Sequence, residues 1–411
     1  MADSPTETKT TVWQRYRRLP RNVLALSFVA LLNDVSSEII YPLLPAFLAL
    51  SLGASPFLIG LIEGFAESVA SLLKLVSGYL SDRFGTRKLP VISGYSLSAV
   101  VRPLLAFATT WPMVLIVRAS DRLGKGIRSA PRDALIVEGI PQNERGFAFG
   151  FHRAADHFGA VLGPIAGFVL LTFFAANTLA PTVGEYQRVF LFASIPVVIG
   201  LFVVAFFVHE RPKVADENAE PPTISLKGFD GNFKRFLLVI ALFTLSNSTD
   251  AFLLLRATDA GVSPVMLPLL WMTLHISKVV SSLVGGHLSD KFGRKTLIMS
   301  GWFVYALVYA GFAFVSEAWQ AWVLFIIYGT YFGMTEGVEK AFVADMVPEN
   351  KRGTAYGLYN LAFGITVFPA SLLFGLAWNN FGASAAFITS ACVSILAMLL
   401  LTRVRSPMQK D

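Results

Sequence analysis

Charged residues are scarce in this sequence of 411 residues, and their scarcity excludes most soluble folds. Asp, Glu, Lys and Arg make up 15% of the chain, whereas 54% is hydrophobic and the mean hydropathy is +0.60. A soluble chain has about a quarter of its residues charged. Cysteine occurs once, at Cys392, so an intramolecular disulfide is also excluded. These two shortages indicate a protein whose solvent is lipid rather than water.

Signatures of bound cofactors and of targeting are also missing. The sequence has no phosphate-binding glycine loop and no Cys/His cluster with metal-ligand spacing, so we expect neither ATP hydrolysis nor a metal site. Residues 1–22 are polar and basic without an apolar stretch, so no signal peptide is expected. The net charge of +7 is attributed to membrane topology, not to a nucleic-acid partner. We therefore predict a protein that is not an enzyme and has no cofactor.

Long apolar runs are what the sequence has in abundance. Runs of about 18 to 25 residues can cross a hydrocarbon core of about 30 Å as a helix. Such runs predict an all-α membrane protein with twelve transmembrane helices, near 23–50, 57–80, 90–108, 112–136, 147–173, 188–208, 234–255, 264–288, 296–315, 319–344, 354–377 and 383–402.

The distribution of basic residues predicts how these spans are oriented. Lys and Arg concentrate in the two tails and in the loops on the same side, and on the other side we find only Arg188 and Arg256. Cytoplasmic loops carry the excess of Lys and Arg in membrane proteins. We therefore expect a multi-pass protein of the inner (cytoplasmic) membrane with both termini in the cytoplasm.

A polar interruption at residues 209–232 separates two similar halves. SGYLSDRFGTRK (77–88) matches GGHLSDKFGRK (285–295), and residues 126–150 match residues 333–357 without a gap. Parallel repeats of this kind place a substrate site near midplane between two pseudo-symmetric six-helix bundles. The predicted divisions are a tail at 1–22, a bundle at 23–208, a linker at 209–232, a bundle at 233–403 and a tail at 404–411.

The repeated loop resembles the inner-loop signature of the major facilitator superfamily, G-x-x-x-D-R/K-x-G-x-R-K. GAVLGPIAG (159–167) is similar to the signature of the antiporter branch of that superfamily, and Arg118 lies where its fourth-helix arginine is expected. Arg122 departs from the pattern, because a small residue is common there. The resemblance covers essentially the whole chain and implies a monomeric transporter that works by alternating access in the lipid bilayer.

The resemblance also assigns roles to the two motifs. Asp82 is expected to accept hydrogen bonds from a helix N-terminus or to pair with Arg132, which would hold the halves together on the inner side. The basic residues of the loop serve either this gate or topology alone. The predicted gating set is Gly78, Asp82, Arg83, Gly85, Arg87, Lys88, Arg132, Asp290 and Gly293. The antiporter set, predicted to pack and kink a helix, is Gly159, Gly163, Pro164 and Gly167.

Ionisable residues within the spans are the candidates for chemistry, because each costs several kcal/mol in lipid unless it faces a cavity or a partner. A rise of about 1.5 Å per residue puts Asp34 level with Arg122 and Glu38 level with Arg118. These acids could pair with those arginines, either in a static network or in one that exchanges protons. The predicted proton-coupling set is Asp34, Glu38, Arg118, Asp121, Arg122 and Asp156. The predicted substrate-binding set is Asn33, Tyr41, Glu63, Glu67, Lys125, Arg153, Asn247, Asp250, His275 and Glu336.

Three functions remain open at this point. The first is proton-coupled efflux, an antiport of a small organic molecule against protons, with Asp34 or Glu38 as the proton carrier. The second is proton-coupled transport of an organic anion or metal chelate, favoured by the basic stretch from Arg118 to Arg132. The third is a membrane sensor that transports nothing.

Overall fold

The computed structural model describes residues 19–141, 144–210 and 225–406, apart from a few side chains, including that of Asp82. Within these residues the chain is helical and contains no strand. Twelve long helical segments follow one another: α1 (Arg21–Ser51), α2 (Pro56–Phe84), α3 (Lys88–Phe107), α4 (Trp111–Ile136), α5 (Arg145–Phe174), α6 (Val183–Phe207), α7 (Gly231–Asp259), α8 (Leu267–Phe292), α9 (Arg294–Phe314), α10 (Ala318–Met346), α11 (Arg352–Phe381) and α12 (Ala383–Leu401).

The twelve predicted spans are confirmed as helices. Ten of the described helices are long and apolar enough to cross a membrane. The other two, α4 and α10, have 26 and 29 residues, so they are also long enough. Many large apolar side chains on the outside of the bundle are exposed, for example Leu283 (80%) and Phe173 (79%). A surface of this kind is stable against lipid, and the protein is a multi-pass membrane protein.

Local sequence explains where two helices depart from the predicted bounds. α6 begins five residues before the predicted 188 because Thr182 and Glu185 form a capping box at its N-terminus. α1 changes to a 3₁₀ turn at Tyr41–Leu43 and then to a π-helical turn at Phe47–Ser51. Pro42 and Pro45 lie in this region and donate no backbone hydrogen bond, which accounts for the irregular winding.

Helix packing repeats in the two halves. In the first half α1 packs on α5 and α6, α2 on α4, and α3 on α4 and α6. In the second half α7 packs on α11 and α12, α8 on α10, and α9 on α10 and α12. The halves are therefore pseudo-symmetric six-helix bundles. They meet mainly where α2 packs on α11 and α5 packs on α8.

The repeated loop performs the same local task in each half. Arg87 donates to the carbonyl oxygen of Ala134 in α4, and Arg294 donates to that of Ala341 in α10. The following lysines, Lys88 and Lys295, donate to carbonyl oxygens near the ends of α6 and α12. Basic side chains satisfy the last carbonyls of a helix and complement its dipole. The loop basic residues thus fasten helix ends within each half.

Candidate functional site

A cavity of about 650 Å³ lies between the two halves. We call the end of the bundle that holds Arg21 and Leu401 the terminal end, and the opposite end the distal end. At the terminal end the exposed Lys74 and Lys340 line the cavity, which therefore opens there. The volume is in the range of cavities that hold drug-sized ligands.

The distal end is closed by direct contact between the halves. A Cβ built on Gly60 of α2 would lie 2.3 Å from the backbone oxygen of Ser371 in α11, so the two backbones touch. Ser263 donates a hydrogen bond to the carbonyl oxygen of Thr178 (2.6 Å) between the loops that precede α8 and α6. The protein is thus open on one side of the membrane only.

Glu38 joins the halves at the closed side of the cavity. Trp271 of α8 donates a hydrogen bond from Nε1 to Glu38 Oε2 (2.7 Å), and His275 Nε2 lies 3.6 Å from the same oxygen. The ring of Tyr41, one turn along α1, lies against Trp271 with a centroid distance of 4.9 Å. A titratable acid of the first half is therefore held by two side chains of the second.

Arg118 is paired differently from the expectation. Its guanidinium donates two hydrogen bonds to the Glu63 carboxylate (2.8 and 2.6 Å), and both side chains are buried. The predicted pairing of Glu38 with Arg118 is therefore wrong. A depth estimate does not contain the rotation of each helix about its own axis, and Glu38 turns toward Trp271 of α8.

A second buried network ties α1, α3 and α4 together. Arg102 donates to Asp121 (2.9 Å) and to the side-chain oxygen of Asn33 (3.0 Å), which also accepts from Arg128 (3.1 Å). The Asn33 amide nitrogen donates to Asp34 (3.1 Å). Asp121 does not line the cavity and is paired with Arg102. It therefore neutralises Arg102 and fixes the position of that side chain.

Arg122 and Lys125 are two of the five basic side chains on the N-terminal wall of the cavity, with Lys74, Arg102 and Arg128. Arg122 Nε lies 3.8 Å from Glu67, so this ion pair is loose, and it is not the predicted pair with Asp34. Lys125 lines the cavity, and no described acid lies within 4.0 Å of its amine.

The facing wall is built around a break in α7. Regular helix ends at Ser246 and resumes at Ala251, and the four residues between them line the cavity. Asn247 donates to the hydroxyl of Tyr331 (3.3 Å), and Tyr328 donates to Asp250 Oδ1 (2.8 Å). The sequence predicted one unbroken span here, but Asn, Ser and Asp compete with backbone hydrogen bonding in a helix.

Other predicted binding residues lie at the edge of the site or outside it. Glu336 lines the cavity and is paired with Lys278 (2.8 Å). Arg153 and Asp156 form a loose pair on α5 (4.0 Å), and neither lines the cavity. The structure therefore does not bring Arg153 and Asp156 to the site.

Comparison with known proteins identifies the family. The sequence matches the Major Facilitator Superfamily over residues 26–370 and again over residues 236–411. The chain belongs to the Major Facilitator Superfamily. It is 34% identical to an uncharacterized MFS-type transporter of Methanocaldococcus jannaschii, over 94% of this chain and 95% of that one.

Two further comparisons place the protein within this superfamily of transporters. It is 22% identical to the multi-drug resistance efflux pump PmrA of Streptococcus pneumoniae, over 91% of this chain and 94% of the pump. A crystal structure of the D-xylose-proton symporter has the same fold, with a TM-score of 0.75 and 18% identity, over 95% of this chain and 99% of that one. The protein is thus an MFS transporter with the twelve-helix MFS fold.

The antiporter-like motif of this MFS transporter packs α5 tightly on α1. A Cβ built on Gly159 would lie 2.7 Å from the oxygen of Leu31, and one on Gly163 would lie 2.6 Å from the Cβ of Glu38. Gly167 faces Ile39 at a less crowded point, and Pro164 is buried within α5. Small residues permit such close approach, and here they support the helix that carries Glu38.

The inner-loop motif of the superfamily gives a mixed result. Gly85 and Gly293 have φ values of +64° and +86°, a conformation that favours glycine at these turns. Arg132 donates to its neighbour Asp133 (2.9 Å). The predicted latch between Asp82 and Arg132 involves a side chain outside the described residues, so it stays a prediction. The rest of the gating set lies at the terminal end: Gly78 packs near Ala130, Arg83 donates to Tyr79 and Asp290 is exposed.

Sequence reasoning missed one central residue of this MFS transporter. Arg102 is buried in α3 and binds both Asp121 and Asn33, although no motif marks it. The sequence did contain a signal for this residue. Arg102 is a single arginine in an apolar span, and a charge in lipid is costly unless it has a partner or a function.

Proposed function

We propose that this transporter is a proton-coupled exporter of small organic molecules, acting as a monomer in the cytoplasmic membrane with its terminal end in the cytoplasm. The observation that carries the proposal is the contact of Glu38 with Trp271 and His275. A titratable acid in a contact between the two halves makes the conformational equilibrium sensitive to protonation. The similarity to an efflux pump and the basic loops at the terminal end support the direction and the orientation.

The proposed cycle uses both acids of α1. With the cavity open at the terminal end, the charged Glu38 accepts from Trp271 and holds the distal end shut. When the distal end is open, Glu38 is released from Trp271 and takes up a proton from outside. The contact regains its full strength only when this proton leaves on the inner side, since hydrogen bonds to ionised groups are about twice as strong as neutral ones. Asp34 lines the same cavity and has one described hydrogen bond, from Asn33, so it is the proposed point where substrate and proton compete.

Gradient-driven uptake into proteoliposomes with an acidic lumen tests the proposal. The probes are ethidium, a cation, and carboxyfluorescein, an anion. We expect uptake of ethidium that stops when nigericin collapses the pH gradient. Glu38→Gln and Asp34→Asn should each reduce gradient-driven uptake at least about tenfold, because a neutral amide cannot cycle a proton.

The control is Glu349→Gln, which neutralises a carboxylate that is 88% exposed and remote from the cavity. It should retain wild-type uptake. Uptake that continues without the gradient, or that survives in both α1 variants, contradicts proton coupling through these acids.

Transport of an organic anion is the second candidate. It is favoured by Lys125, whose amine has no described acid within 4.0 Å, and by the loosely paired Arg122 on the same helix. This function predicts gradient-dependent movement of carboxyfluorescein in place of ethidium, and its loss in Lys125→Gln. Uptake of neither probe contradicts both candidates.

A further inference from the structure

We propose that Asp250 and the aromatic side chains around it form a binding site for an organic cation. The assignment rests on the proposed function for the direction of transport, whereas the binding itself does not depend on a proton gradient. The site comprises Asp250 at the break of α7, Tyr328 and Tyr331 of α10, and Tyr41 and Trp271 beside them. All five line the cavity.

Three acids that line the cavity, Asp34, Asp250 and Glu339, have no described Lys, Arg or His within 4.0 Å of their carboxylates. Three other acids are paired with cations: Glu63 with Arg118, Glu67 with Arg122, and Glu336 with Lys278. Glu339 already accepts hydrogen bonds from Trp302 and Tyr359, and Asp34 accepts from the Asn33 amide. No described Lys, Arg or His lies within 4.0 Å of the Asp250 carboxylate, whose described partner is the neutral hydroxyl of Tyr328. A partly buried carboxylate without a counter-ion is costly, so a cation that enters the cavity gains by occupying this position.

The backbone around Asp250 leaves its carboxylate available. Asp250 is the residue before the second segment of α7, a position where an aspartate normally accepts from the first turn of the helix. It makes no such hydrogen bond, and the amide of Ala251 donates instead to Thr249 Oγ1 (3.3 Å). The neighbouring threonine therefore takes the capping role, and the carboxylate points to Tyr328.

Aromatic rings provide the rest of the site. Tyr328 and Tyr331 are stacked at a centroid distance of 5.7 Å, and Phe332 packs against both. The pair formed by Tyr41 and Trp271 lies nearby, because the Tyr41 hydroxyl is 3.5 Å from Thr249 Oγ1. The negative faces of aromatic rings attract organic cations and contribute about 0.5 to 2 kcal/mol per contact.

The cations of the cavity do not oppose this assignment. Lys278 is compensated by Glu336 and Arg102 by Asp121, and Arg118, which lies outside the cavity lining, is compensated by Glu63. Counting about 1.5 Å per residue from the terminal end, Arg122 and Lys125 lie about one to two helical turns closer to that end than Asp250 does. Arg122 and Lys125 therefore lie nearer the opening of the cavity, and Asp250 lies deeper.

Equilibrium binding of radiolabelled tetraphenylphosphonium to the purified full-length protein tests the proposal, in detergent and at two pH values. Tetraphenylborate, an anion of the same size and shape, is the matched probe. We expect saturable binding of tetraphenylphosphonium that weakens at least about tenfold in Asp250→Asn, since the variant loses a charge interaction in a site of low polarity. Asp250→Glu should restore much of the affinity, and tetraphenylborate should not compete.

Two variants of Tyr328 separate binding from a structural role. Tyr328→Phe keeps the ring and frees the carboxylate from its hydroxyl partner, so it should bind the cation as well as the wild type or better. Tyr328→Leu removes the ring and should weaken binding. Glu339→Gln is the matched control, because Glu339 is a buried acid of the same wall that already accepts from Trp302 and Tyr359.

Wild-type affinity in Asp250→Asn, or displacement by tetraphenylborate, overturns the cation site. If Asp250 instead carries a proton, the variant keeps tetraphenylphosphonium affinity and loses its pH dependence, which also overturns the assignment. Failure of the proposed function is a separate result, because loss of gradient-driven uptake leaves this binding unchanged.

Discussion

Neutralising one partner of the Arg118–Glu63 pair should destabilise the protein strongly. The guanidinium and the carboxylate are joined by two hydrogen bonds of 2.8 and 2.6 Å, and their side chains are only 4% and 6% exposed. Glu63→Gln leaves a buried guanidinium without its counter-ion. The loss expected for breaking such a pair is about 3 to 5 kcal/mol in the free energy of unfolding.

A double variant measures how strongly Glu63 and Arg118 stabilise each other. Removing both charges, in Glu63→Gln with Arg118→Gln, leaves no uncompensated ion. The combined loss should therefore be smaller than the sum of the single losses, with a coupling energy of about 2 kcal/mol or more. Reversible unfolding in SDS, followed by tryptophan fluorescence, measures all four proteins of the cycle.

The exposed pair Arg352–Glu349 (3.2 Å) is the control for this cycle, with side chains 44% and 88% exposed. Solvent screens such a pair, so its removal should leave stability unchanged within error. Additive losses for Glu63 and Arg118 would refute the reasoning, since they would mean that the buried charges do not stabilise each other.

Two further predictions concern contacts that shape the cavity. Gly285→Ala should lower thermal stability, because its Cβ would lie 2.0 Å from the backbone oxygen of Gly333. Gly337→Ala is the control and should be tolerated, since nothing lies within 4 Å of its added Cβ. Thermal unfolding of the two variants tests the difference. Trp271→Phe keeps the ring but removes the donor to Glu38, a hydrogen bond to a carboxylate that contributes about 1.5 to 3 kcal/mol, so the distal end should open more often. Labelling of a cysteine introduced at that end measures the opening, and unchanged labelling would contradict the role of this contact.

Much of the fold was predictable because its signals are local. Lipid requires long apolar helices, so composition and run length located all twelve spans. The repeated loop indicated the pseudo-symmetry that the packing of α2 on α4 and of α8 on α10 displays. The N-terminus of α6 was missed by five residues because a capping box depends on side-chain geometry around Thr182.

The site was predictable in part of its membership but not in its pairings. Asp34, Glu38 and Asp250 were marked by the cost of charge in a span, and all three line the cavity. Their partners depend on how each helix is rotated, which a depth estimate does not contain. Glu38 thus meets Trp271 of the other half, and Arg118 meets Glu63.

The sequence by itself determined that the protein lies in lipid, how many spans it has and that its two halves repeat. It also identified the ionisable residues within the spans, which are costly in lipid unless they face a partner or a cavity. Only the tertiary structure decided which of these charges neutralise one another and which remain for a ligand. The physical reason is that charges interact across a few ångströms between helices distant in the sequence. In the sequence, Asp250 is one of several acids within the spans. The packing of α7 and α10 shows that its described partner is the hydroxyl of Tyr328 and not a cation.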